Sequence, residues 1–281
     1  YTGHTFQGSY IAGVYYPDKT RVGWWKNGYP EYFAKVLNAP NWIGINLIVN
    51  GEHLDLNTCK SITNYKRELN MKEGWYQRSF VAVLPNDIKI EVSATRFLSL
   101  DLNEIGAIKF QIICIDNDAE IIFEPYLDSG ITNEDSNWDD KFWNTTAISS
   151  EVSQAFIEAH TMKTNFATCT FMQSQLVHNG VEVYQNPQEA TSEFQIKHSY
   201  IQKVKKGETI TLYKFGGYTV DRNHKAAELI NAAKNVLKKA NDLGFDGLLE
   251  KQKLAWAKIW EMSDITIDGD VKKGRHVDQI G

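Results

Sequence analysis

The feature that most constrains this chain is a period of two that recurs through its first 220 or so residues and then changes. Ile88, Ile90 and Val92 alternate with Lys89 and Glu91; Ile108, Phe110, Ile112 and Cys114 keep the same beat, as do Ile121 and Phe123. Further along come Val181 and Val183, Phe194 and Ile196, then Ile210, Leu212 and Lys214. Successive side chains of a strand point to opposite faces, so such alternation marks half-buried strands. Turn-forming pairs punctuate them: Asn50-Gly51, Pro85-Asn86-Asp87, Asp116-Asn117-Asp118, Asn179-Gly180 and Lys206-Gly207. Many short strands at this spacing predict a mainly β protein built as a sandwich, not a βαβ sheet. Ser129–Thr145 breaks the rhythm. It is polar and acidic, holds Trp138, Phe142 and Trp143, and is expected to be a long ordered loop.

After about residue 220 the period becomes helical. Ala226, Leu229, Ile230, Ala233, Val236, Leu237 and Ala240 share one face, with Asp221 or Asn223 placed to cap its start and Gly244 placed to end it. A second helix is expected from Asp246, with Leu249, Gln252, Trp256, Ile259 and Trp260 on one side, ending before Asp264; Ile265 and Ile267 then look extended. The expected division is a β domain over 1–220, a helical linker over 221–270 and a short tail over 271–281. Two tryptophans on the last helix must bury a large surface, either on the sandwich or on another domain. Trp256 and Trp260 are therefore the candidate domain-interface residues.

Of the 281 residues 42% are apolar and 23% charged, which suits a folded core. The net charge of −5 gives no reason to expect a nucleic acid or an anionic membrane as partner. The longest apolar run, Ile43–Val49, contains Asn46 and is strand-sized. Three widely spaced cysteines, Cys59, Cys114 and Cys169, make neither a disulfide framework nor a zinc pattern. They point to a reducing compartment: the expected location is cytoplasmic, or periplasmic if a leader has been removed. No two of the seven histidines sit at ligand spacing, so no metal or organic cofactor is expected.

Glycoside chemistry needs an acid and a base or nucleophile, which directs attention to Glu124 and Asp128 and to the acidic loop residues Glu134, Asp135, Asp139 and Asp140. A sugar- or calcium-binding loop is the functional reading, but a solvated loop is favoured, because the cluster lacks the ligand spacing of a calcium loop. Aromatics make up 12% of the chain; flat rings stack on sugars, but large sandwiches also bury them.

One set of segments is more specific. Asn38-Ala39-Pro40-Asn41-Trp42-Ile43-Gly44 resembles an LPNW-x-G segment, and Tyr65-Lys66-Arg67-Glu68-Leu69-Asn70-Met71-Lys72-Glu73-Gly74 a Y-x-R-x-L-D-M-x-x-G segment, with Asn70 in the aspartate's place. Arg96-Phe97-Leu98-Ser99-Leu100 and the run Trp256 to Asp270 complete the set. Together they resemble glycoside hydrolase family 65, which contains maltose, trehalose, kojibiose and nigerose phosphorylases. The resemblance implies a galactose-mutarotase-like β-supersandwich, a two-helix linker and then an (α/α)6 barrel carrying the general acid and the phosphate site. It covers the first two parts, with residues 271–281 expected as the truncated start of the barrel, although Lys273-Gly274-Arg275-His276-Val277 does not look like the barrel's usual entry. The expectation is a non-catalytic N-terminal domain with no catalytic residue of its own. Its partner would be its own C-terminal barrel; an α-glucosidic disaccharide and inorganic phosphate would be substrates of the intact enzyme, and homodimer formation is left open. Asn41, Trp42, Trp138 and Trp143 are the candidate carbohydrate-binding or pocket-rim residues. A free-standing carbohydrate-binding or dimerisation module is the alternative, to be separated by whether Trp256 and Trp260 are exposed.

Overall fold

The computed structural model describes residues 8–20, 27–134 and 141–265. In chain order the strands are β1 (Tyr15–Lys19), β2 (Tyr32–Val36), β3 (Ile45–Val49), β4 (Glu52–His53), β5 (Ser61–Asn70), β6 (Trp75–Val83), β7 (Lys89–Leu98), β8 (Ile105–Cys114), β9 (Ala119–Asp128), β10 (Trp143–Glu151), β11 (Gln154–Thr161), β12 (Ala167–His178), β13 (Val181–Val183), β14 (Gln188–Thr191), β15 (Gln195–Val204) and β16 (Thr209–Val220). A 3-10 turn, Ala226–Glu228, leads into α1 (Leu229–Ser263). This is the expected sandwich followed by helices.

Two antiparallel sheets face each other. The large one runs β10-β11-β12-β16-β8-β7-β6-β5, with β13 added to β12; the small one runs β14-β15-β9-β3-β4. β1 and β2 form a separate ribbon. The turn chemistry sits where the sequence places it. Asn50 and Gly51, both at positive φ, join β3 to β4, and Asn179 and Gly180 join β12 to β13, as a tight hairpin turn requires. The main core lies between the sheets, around Phe80, Ile90, Val92, Ile112, Ile121, Phe123 and Leu212. A second core forms where α1 lies on the outer face of the large sheet, with Phe97, Phe156, Phe171 and Phe215 beneath Leu229, Ala233, Leu237, Phe245 and Leu248.

α1 is broken at Gly244, whose backbone (φ 65°, ψ 178°) is not helical; the two expected helices meet there. The first half buries Leu229, Ala233, Val236, Leu237 and Ala240 as the spacing requires. Three details differ. Ala226 lies in the 3-10 turn and is exposed. Neither start is capped by a side chain: Asp221 instead accepts the amide of Ala167 at 2.9 Å, fixing the start of β12. The second half turns Phe245, Leu248 and Gln252 inward and leaves Ile259 at the surface. Trp143 also departs from expectation: it opens β10 instead of ending a loop.

The small sheet covers only part of the large one. β5, β6 and the adjoining ends of β7 and β8 extend past the β3–β4 hairpin. They leave a groove of about 1480 Å³ whose floor is the inner face of these strands.

Candidate functional site

The groove is the site around which the sequence candidates must be judged. One wall is the segment after β2. Asn38 donates from Nδ2 to the Thr132 carbonyl at 3.2 Å, and its amide donates to Asn133 Oδ1 at 2.8 Å. Asn41 and Asp128 exchange backbone hydrogen bonds at 2.7 and 3.0 Å. The Trp143 indole N–H donates to the Asn38 carbonyl at 2.8 Å. Two segments 90 residues apart in sequence, both expected at a rim, are thus sewn together, and Asn38, Asn41, Ile43, Ile131 and Thr132 line the groove.

The predicted site residues fare differently. Asn41 lines the groove, and its Oδ1 accepts the amide of Ile43 at 2.9 Å. Trp42 turns away from it. The indole is 3% exposed and packed between the sheets, so close that a Cβ on Gly106 or Gly216 would stand 2.6 or 2.7 Å from its ring. A ring enclosed in this way has no face to offer a sugar, so the structure assigns Trp42 to the core. Trp143 is 5% exposed in a cluster with Tyr16, Leu37 and Phe142. It holds the wall in place without reaching the surface. Trp138, with Asp135, Asp139 and Asp140, lies outside the described residues.

Among the carboxylates, Glu124 is engaged from three sides. Lys197 lies 2.7 Å from Oε1, Ser199 Oγ donates to the same oxygen at 3.2 Å, and Asn46 Nδ2 donates to Oε2 at 3.2 Å. Burial pushes this carboxyl up, but the hydrogen bonds from Lys197, Asn46 and Ser199 with the Lys197 charge outweigh it and hold the group below the usual range. A general acid needs the opposite shift. Asp128 spends Oδ1 on the amide of Gly130 at 2.8 Å. No group of three or more metal-binding side chains forms among the described residues, and no described helix is long and apolar enough to cross a membrane.

Sequence reasoning missed the lysine at the centre. Lys214, the last member of an alternating run, is fully buried, and Nζ donates to the carbonyls of Gly44 and Tyr126 at 2.8 and 2.9 Å. Burial holds its amine well below the usual lysine range. It ties the large sheet to the groove wall, where Gly44 leaves room for the Tyr126 ring: an added Cβ would meet that ring at 2.1 Å.

The candidate interface lies on the outer face of the large sheet, where the second half of α1 crosses the β5–β6 turn. Gln252 is the fastener: buried, it accepts the amide of Leu100 at 2.7 Å and donates to the Gly74 carbonyl at 3.2 Å. Trp256 presses on Gly74, Trp260 donates from its indole to the Lys72 carbonyl at 3.1 Å, and the two rings stack with centroids 6.1 Å apart. Both tryptophans are half-buried on the sandwich. Leu254 and Met262 on α1 and Ile265 after it are exposed (64, 81 and 70%), as are Leu69 at the end of β5, Met71 in the β5–β6 turn and Leu100 after β7.

Comparison with known proteins places the chain. It matches the family model described as "Glycosyl hydrolase family 65, N-terminal domain" over residues 1–259. It is 38% identical over 270 residues to maltose phosphorylase of Bacillus subtilis (strain 168), covering 96% of this chain and 35% of that protein. It is 29% identical over 278 residues to alpha,alpha-trehalose phosphorylase of Thermoanaerobacter brockii, covering 95% and 35%. Among solved structures, a putative kojibiose phosphorylase from human microbiome superposes with a TM-score of 0.81 at 24% identity, over 96% of this chain and 34% of that one; at that identity the likeness speaks for the fold. The chain spans about a third of the length of these relatives. It belongs to glycosyl hydrolase family 65, as that family's N-terminal domain.

Proposed function

We propose that this chain is the non-catalytic N-terminal domain of an α-glucoside phosphorylase acting on a disaccharide of the maltose type. In this reading it seats a catalytic barrel on the α1 end of the sandwich and supports the rim of that barrel's pocket. The observation that carries the reading is the apolar end of α1. Leu254 and Met262 stand in water on exposed faces of α1, with Ile265 just beyond it, and apolar side chains exposed together at one end of a helix suit an interaction site. The relatives' names, maltose and trehalose phosphorylase, favour phosphorolysis with inorganic phosphate as co-substrate. Inverting cleavage needs one acid and an external nucleophile. Phosphate fills the second role, and in this reading the acid stands on the barrel.

The stitched wall of Asn38–Gly44 and 128–134 is the part proposed to approach the pocket rim. Asn41 offers it polar contacts, with Trp143 holding it from behind. The reading is tested by supplying this chain with maltose and phosphate and following glucose and glucose 1-phosphate. No turnover is expected; phosphate-dependent turnover by the chain alone refutes it.

A further inference from the structure

The floor of the groove carries a charge pattern that domain docking does not use. Register places Arg67 of β5 opposite Arg78 of β6, and Arg96 of β7 opposite Tyr76 of β6. All three arginines line the groove. Arg67 Nε donates to the Tyr76 hydroxyl at 3.1 Å, the Arg96 guanidinium lies 5.0 Å from the Tyr76 ring centre, and that of Arg78 lies 5.6 Å from the ring of Phe80. The contacts of Arg78 and Arg96 among the described residues are therefore aromatic rings and not carboxylates. The groove's acidic residues, Glu52 and Asp55, stand on the β3–β4 side, and Asp55 accepts the amide of Asn57 at 2.9 Å. Desolvation chiefly opposes the charged form of Arg96; Tyr76 acts the other way, and the charges of Arg78 and Arg67 add smaller opposition.

The guanidiniums of Arg78 and Arg96 stand on adjoining strands with aromatic rings as their contacts, and an anion between them would offset the repulsion between their charges. Guanidinium forks match the oxygens of a phosphate in pairs. The groove is far larger than a bare phosphate, and Tyr65 lines it, stacked on Phe80 and 43% exposed. A flat ring beside a cationic floor suits a sugar body carrying a phosphoryl group.

We propose that this groove is a binding site for a phosphorylated sugar, with Arg78 and Arg96 holding the phosphoryl oxygens and Tyr65 facing the sugar ring. The inference uses the floor of the groove, whose Asn38–Gly44 wall the docking reading also uses, and titration of this chain without a barrel reads the floor separately. It is tested by calorimetric titration of this chain, at low ionic strength, with glucose 6-phosphate, inorganic phosphate and glucose. Glucose 6-phosphate is expected to bind saturably and at least about tenfold more tightly than either fragment. Arg96→Gln and Arg78→Gln are each expected to weaken it about tenfold or more, the scale of a lost charged hydrogen bond. Arg96→Lys keeps the charge without the fork and is expected to fall between. Raising the salt to about 0.5 M must weaken binding to the wild-type chain, a readout that needs no variant to fold. The proposal is overturned if no saturable binding occurs at low millimolar ligand, if inorganic phosphate binds as tightly as the sugar phosphate, or if Arg96→Gln leaves the affinity unchanged.

Discussion

Gly74→Ala separates two costs that the structure keeps apart at another glycine. Gly74 adopts φ +70° in the β5–β6 turn, and an added Cβ would stand 1.7 Å from Nε1 and 2.2 Å from Cδ1 of Trp256. Gly207 adopts φ +80° in the turn before β16 and has nothing within 4 Å. Left-handed backbone alone costs an L-residue about 1–2 kcal/mol, so Gly207→Ala should lose about that much. At Gly74 the helix must also lift. Lifting gives up the half-buried Trp256 ring, about 1 kcal/mol at half the value of a fully buried large side chain. It also gives up the bonds from Gln252 to Gly74 and from Trp260 to Lys72, about 1 kcal/mol each. The expected total is about 4–5 kcal/mol, and the difference from Gly207→Ala about 3. Urea unfolding of both variants measures that difference, and amide exchange locates it: residues 245–263 should lose protection in Gly74→Ala and keep it in Gly207→Ala. Adding Trp256→Ala to Gly74→Ala should remove most of the excess, because the two changes share one contact. Equal losses at Gly74 and Gly207, or undiminished protection of the helix, would refute the argument that this glycine exists to seat Trp256.

Trp42→Ala should cost about 3–5 kcal/mol, as for large core aromatics, measured by urea unfolding; a loss of under 1 kcal/mol would return Trp42 to the surface. His198 is fully buried, and neither ring nitrogen has a hydrogen-bond partner among the described residues. Burial lowers its pKa, with Glu189 pulling it up and Lys214 adding to the depression. The folded state therefore binds the proton less readily than the unfolded one. Its contribution is present above the unfolded value of about 6.5 and is lost as pH falls through the lower folded value. His198→Phe should flatten the stability profile in that acid window; an unchanged slope would refute the assignment. Burial pushes the Cys114 and Cys169 thiols up to about 11 and about 12. In the native chain iodoacetamide should therefore modify half-buried Cys59 first, with the other two reacting only on unfolding.

The β architecture was readable because alternation and turn chemistry act locally. The runs around Ile90, Ile112 and Ile121 are half-buried strands whose neighbours enforce the same period. β5 and β12 were harder. β5 faces the open groove, so its inner residues include Arg67 and Tyr65 where the usual pattern has aliphatic ones. β12 is buried on both faces at Cys169–Met172, between the small sheet and α1, so no polar beat marks it. The site was read less well for a related reason. Aromatic residues bind sugars and fill cores with the same chemistry, and only the approach of Gly106 and Gly216 decides which Trp42 does. Lys214 and Gln252 fell on strand and helix patterns, but the bonds they make were not legible, because a buried polar residue is recognised by its partners, the carbonyls of Gly44 and Tyr126 or the backbone of Gly74 and Leu100. These stand from 88 to 178 positions away in the chain. The family motifs were legible as a set because they coincide with these joints: Asn41–Gly44 at the groove wall, Gly74 under Trp256, Arg96 on the groove floor.

The central claim is that this chain supports a catalytic domain seated on the end of α1. The most direct measurement replaces the matching third of the Bacillus subtilis maltose phosphorylase with residues 1–265 of this chain and follows phosphate-dependent glucose release from maltose. The account expects an active chimera, and at least about a tenfold loss when Leu254 and Met262 are both changed to Asp, with the sandwich still folded by circular dichroism. A folded but inactive chimera, or full activity with both charges on that face, would contradict it.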